Sequence, residues 1–174
     1  PGALHIPEDA FRAYVRAVLE GIVKNGFRNI IVINGHGGPQ TAILEQLTRE
    51  LALNHKVNTL AIQWWALAGD VTLEVFGEDG GHAAINETAF IQAINPKLVH
   101  RDLYTGRDMA TPNPAPSAWS ATPFPSSITL YKEGQGWPKD FDQKKADEYF
   151  RKVVAKVKGL VQDTLKKWEA AGFN

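Results

Sequence analysis

Ile30-Ile31-Val32-Ile33 is the stretch that most constrains the fold. Four consecutive β-branched residues predict a buried strand, because branching at Cβ suits a pleated surface and disfavours a helix. The run passes straight into Asn34-Gly35-His36-Gly37-Gly38-Pro39-Gln40. From about Thr41 a helical pattern follows, with Leu44, Leu47 and Leu51 on one face. Strand, glycine-rich turn and helix together place polar groups at the carboxyl end of a parallel sheet. Glycines in such a turn tolerate positive φ and close approach of a ligand. A neutral imidazole there suits a metal ligand or a proton carrier. Two other readings stay open at this point. His36 could be an ordinary hydrogen-bonded or solvated loop residue, and the turn could cradle a phosphate. The second is disfavoured, since the run matches neither G-x-G-x-x-G nor the P-loop.

The surrounding pattern is α/β. Glu8 to Lys24 predicts an amphipathic helix with Phe11, Val15, Val18, Leu19, Ile22 and Val23 as its apolar stripe. Pro7 suits its first position, Glu8 and Asp9 suit the positive end of the helix dipole, and Asn25-Gly26 stops it. After the strand and the Thr41–Asn54 helix, a second strand is expected over Val57 to Trp65. Helix, strand, helix, strand with short links implies a parallel, right-handed sheet. A short helix is expected over Leu67 to Phe76, and another from the His82–Glu87 region to Asn95-Pro96. Thr105 to Ser127 carries five prolines and no period, which predicts a long surface loop. Ile128 to Tyr131 is a candidate strand. Gln143 to Ala171 predicts a long helix, with Ala146, Phe150, Val153, Val157, Leu160, Thr164 and Trp168 on its inner face. No repeat or linker interrupts the 174 residues, so a single α/β domain is expected over 1–174.

Charge narrows the partners. Nineteen basic and nineteen acidic residues cancel, so no global field recruits nucleic acid or an anionic membrane. The absence of cysteine excludes disulfides, thiolate zinc sites and a thiol nucleophile. No apolar run is long enough to span a bilayer, and Pro1 to Pro7 lacks the features of a signal peptide, so a cytoplasmic location is expected.

A second site element lies at His82 and Glu87. Five residues apart on one continuous helix, the two would point roughly 140° apart. With Gly80-Gly81 before it, His82 is instead expected on a loop, and Glu87 on the first helical turn, so that imidazole and carboxylate converge. The helix dipole alone is a competing reason for Glu87.

Asn34-Gly35-His36-Gly37-Gly38 after an apolar strand, then Gly81-His82-Ala83 and Glu87-Thr88, resembles the creatininase (creatinine amidohydrolase) family. Pro1 to Pro7 is similar to that family's segment before the helix preceding the metal-binding loop. The resemblance implies a three-layer α/β sandwich with a mainly parallel sheet and a centre of one or two zinc, manganese or iron ions. It also implies hydrolysis of a C–N bond in a small cyclic or linear amide, with a homo-oligomer as the assembly. By the matched motifs His36 and Glu87 would be metal ligands and His82 the residue handling protons near the scissile amide. Trp64, Trp65 and Trp119 could wall a pocket, but buried aromatic packing is the favoured role for each. The sequence departs from the pattern at Pro39-Gln40, where an Asn is usual, and at Ala84, where a Gly is usual. The family's N-terminal Glu-x-His pair and following Asp are not found. The chain is therefore expected to be N-terminally incomplete, or to receive those ligands from a separate polypeptide. The rival expectation is a non-catalytic binding or assembly module that kept the scaffold and lost the metal.

Overall fold

The computed structural model describes residues 6–103 and 136–173. The chain divides into two compact units, one formed by Gly2–Leu67 with Ala155–Asn174, the other by Ala68–Val154. The expected Thr105–Ser127 loop, the Ile128–Tyr131 strand, Trp119 and the Pro1–His5 segment lie outside the described residues.

In the first unit α1 runs over Glu8–Lys24. Pro7 stands one place earlier than expected, as the N-cap, and its carbonyl accepts the N–H of Phe11. Asn25 closes the helix by donating its side-chain amide to the Gly21 carbonyl, and Gly26 turns the chain away at φ +90°. Leu19 is the buried centre of the stripe, with Phe11, Val15, Ile22 and Val23 packed around it. Val18, expected among them, is exposed. It sits about 100° around the axis from Leu19, which carries it off the inward face.

Strand β1 spans Asn29–Asn34 and pairs in parallel with β2, Asn58–Gln63. The ladder is bracketed by amide side chains in register at both ends. Asn58 donates to Asn29 Oδ1 at 2.7 Å, and Asn34 donates to Gln63 Oε1 at 2.7 Å. Helix α2, Gln40–His55, packs on one face through Ile43, Leu47 and Leu51, which share a core with Leu19, Ile30 and Val57. Thr59 adds a hydroxyl donation to the Thr48 carbonyl of α2. Arg12 and Arg16 of α1 reach across to Gln46 and Glu50 of α2. The Arg16 guanidinium, hydrogen-bonded to the half-buried Glu50, holds its carboxyl below its usual range.

The second strand ends two residues short of the expected Trp65. Its partner turns away at Gly35, so no ladder position remains for Trp64, and Trp64–Leu67 coils into the short helix α3. The expected mainly parallel sheet is represented among the described residues by this two-stranded parallel pair, and most of the described chain is helical.

The second unit is built from α4 (Gly69–Phe76), α5 (Ile85–Ile94), two 3-10 turns (Pro96–Leu98 and Arg101–Leu103) and the first part of α6 (Gln143–Ala170). Tyr149 is its centre. Phe76 and Phe90 lie 5.0 and 5.7 Å from its ring, and its hydroxyl meets that of Thr72 at 2.9 Å. Burial pushes the Tyr149 phenol above its ordinary pKa, partly countered by Thr72. The buried line along α6 is Ala146, Tyr149 and Val153. Phe150, expected on that line, is half-buried against Phe90 at 5.4 Å. No helix among the described residues is long and apolar enough to cross a membrane.

Candidate functional site

His36 rides on the loop between β1 and α2, in the first unit. The strand delivers it, and four side chains shape the loop. Asn34 is buried at 5% exposure, and all its polar atoms are engaged. Its amide nitrogen donates to Thr41 Oγ1 at 3.1 Å as well as to Gln63, and its oxygen accepts the His36 N–H at 3.3 Å. Gln40 donates to the His36 carbonyl at 2.6 Å. Trp64 donates its indole N–H to the Gly35 carbonyl at 3.0 Å. The Trp65 ring lies against Gly37, 3.5 Å from where a Cβ would stand. The two indoles are thus loop supports, edge to face with centroids 6.2 Å apart. The ring of His36 turns its Nδ1 to the Gly37 carbonyl at 2.6 Å. A carbonyl oxygen only accepts, so this contact is a hydrogen bond when Nδ1 carries the hydrogen.

His82 and Glu87 occupy a turn of the second unit, arranged as the spacing predicts. His82 is on the loop and exposed; Glu87 is in the first turn of α5, half-buried. A ring nitrogen of His82 and a carboxylate oxygen of Glu87 lie within 4.8 Å of each other. The turn is held by the helix it leads into. Asn86, 4% exposed, accepts the Gly81 N–H at 2.9 Å. Glu87 Oε2 accepts the Ala83 N–H at 2.8 Å, so one of its oxygens also has the capping role that the helix start favours. Ala83 itself is left-handed at φ +51°, a conformation that costs an L-residue roughly 1–2 kcal/mol. Gly80 is obligatory for a different reason: a Cβ there would stand 2.4 Å from Asn86 Cγ.

Each turn by itself carries ligand types found in zinc, manganese and iron sites: an imidazole on the first, an imidazole and a carboxylate on the second. Three supports went unmarked as such in the sequence. Gln63 and Thr41 hold Asn34 from outside the motif, and Asn86 lies unremarked between His82 and Glu87. An Asn a few residues after Gly80-Gly81 is the local signal for the last. His55 and His100, outside both motifs, are exposed.

The creatininase (creatinine amidohydrolase) family model matches residues 1–161. The chain belongs to the creatininase family. Solved structures share its fold. A Bacteroides fragilis NCTC 9343 protein, provisionally described as a creatinine amidohydrolase, matches with a TM-score of 0.70 at 20% identity, covering 94% of this chain and 64% of that one. A mutant creatininase complexed with creatine matches with a TM-score of 0.73 at 18% identity, covering 94% and 68%. A manganese creatininase gives a TM-score of 0.73 at 18% identity, covering 94% and 67%. The chain therefore has a creatininase-like fold and spans about two thirds of the length of these family members. No curated protein sequence matches it.

Proposed function

We propose that this chain serves a metal-dependent amidohydrolase that cleaves the C–N bond of a small cyclic or linear amide. The observation that carries this reading is the His82–Glu87 pair, brought within 4.8 Å on its turn in a chain of the creatininase family. Supporting it, creatininases of the same fold include a manganese form, a Zn–Zn form and a complex with creatine.

In this reading His36, through a ring nitrogen, and Glu87, through its carboxylate, would be metal ligands. When bound, a divalent ion supplies Lewis acidity and lowers the pKa of water. His82 handles the proton. Water adds its oxygen to the carbonyl carbon and gives up a proton to the imidazole, the C–N electron pair leaves with nitrogen, and the imidazole passes that proton to the leaving nitrogen. Glu87 has a second task in this scheme, since its bond to the Ala83 N–H holds the turn on which His82 sits.

Plasma mass spectrometry of the purified full chain, paired with a hydrolysis screen over creatinine, lactams and formamides, tests the proposal. The expected result is roughly one or two transition-metal ions per chain. His36→Ala and Glu87→Gln should each lose metal and hydrolysis together. A chain with neither metal nor turnover, whose melting temperature ignores both Glu87→Gln and a chelator, would instead be a binding or assembly module.

A further inference from the structure

Among the contacts that hold His36 are two amide side chains from either end of its own loop. Asn34 accepts its N–H and Gln40 donates to its carbonyl, while the Gly37 carbonyl accepts from Nδ1. The chemistry fixes the orientation of both amides. Turned the other way, the Gln40 oxygen would face the His36 carbonyl at 2.6 Å, acceptor against acceptor. The Asn34 NH2 would likewise face the His36 N–H, donor against donor. With the peptides on both sides of His36 fixed and Trp65 lying against Gly37, the Gly37 carbonyl is left directed at the ring.

We infer that Asn34 and Gln40 are a positioning pair that locks His36 into the Nδ1–H tautomer, presenting Nε2 as the donor atom. Gln40 anchors the His36 carbonyl from the first position of α2. Gly38 completes the device: at φ +151° a Cβ there would lie 2.6 Å from Gln40 Oε1, so only glycine leaves the amide its place. Neither Asn34 nor Gln40 needs to touch a metal or a substrate; each acts through the imidazole. Only the consequence for metal affinity rests on the proposed function. The tautomer does not.

Long-range nitrogen–proton correlation spectra of the histidine rings, recorded on the metal-stripped full chain at alkaline pH, read the tautomer directly. His55 and His100, both exposed, serve as solvated references. The unmodified chain should show His36 in the Nδ1–H form, distinct from them. Gln40→Met keeps the length and removes the donor, and should move His36 toward the reference pattern. Gly38→Ala, which leaves the hydrophobic core untouched, should do the same by displacing the amide. Zinc affinity should then fall about 10- to 100-fold, as it does when a ligand loses its outer support. A His36 ring that keeps the Nδ1–H form in both variants, while only the melting temperature falls, would overturn the inference. A tautomer that shifts in a chain that never binds zinc would leave the positioning pair standing and sink the metal reading.

Discussion

The two histidine-bearing turns reach definition by opposite routes. The His36 loop is shaped from a distance: Gln63 and Trp64 lie on the far strand and just beyond it, and both reach the loop that follows β1. The His82 turn is shaped from within, since Asn86 and Glu87 hold Gly81 and Ala83 from the first turn of the helix that follows. Their strain differs as well. In the first loop the positive φ falls on a glycine, Gly38, whereas the second places an alanine in the left-handed region. A loop tied to a parallel sheet borrows its rigidity from the ladder. A turn tied to its own helix start inherits the stability of that helix.

The sharpest way to break the contrast is through the two cores. Ile85, fully buried at the start of α5, anchors the second turn, and Leu47, 2% exposed on α2, lies at the centre of the first core. Truncating either to alanine should cost about 2–5 kcal/mol by urea unfolding. Ile85→Ala should additionally quicken hydrogen exchange at the Gly81 and Ala83 amides; unchanged exchange there would mean that the turn does not depend on its helix. Next in size is Asn86→Ala, which strips the acceptor from the Gly81 N–H and should cost about 1–3 kcal/mol. Gly80→Ala, by driving a methyl into Asn86, should cost a similar amount. If both variants were as stable as the parent, the self-supporting account of this turn would fail. Smallest is Ala83→Gly, which should stabilise the chain by roughly 1 kcal/mol by relieving the left-handed strain. A loss of stability in the same urea titration would show that the alanine is not strained where it stands.

Much of this is legible in the amino-acid sequence, for reasons of range. The span of α1, the β-branched strand, the Leu44–Leu47–Leu51 face of α2 and the split of His82 onto a loop with Glu87 on a helix all depend on neighbours within a turn or two. Periodicity and capping chemistry report such neighbours. The residues misread were those whose fate lies elsewhere in the chain. Trp64 leaves the strand because β1 has already turned at Gly35, and no pattern within Val57 to Trp65 carries that information. Tyr149 is buried where Phe150 was expected because Phe76, Phe90 and Thr72 gather round it.

By itself, then, the amino-acid sequence determined which segments are helix or strand, that the links make the strands parallel, and which histidines stand among glycines with a carboxylate near one of them. These follow from local sterics and from the periods of 3.6 and 2. Tertiary structure alone decided that Asn34 is a buried node, that Gln40 clamps the His36 carbonyl and that Gly80 must lack a Cβ. Each of these depends on where a second backbone or side chain stops in space. A hydrogen bond or an overlap of a few tenths of an ångström decides the outcome there, and no spacing along the chain encodes that distance.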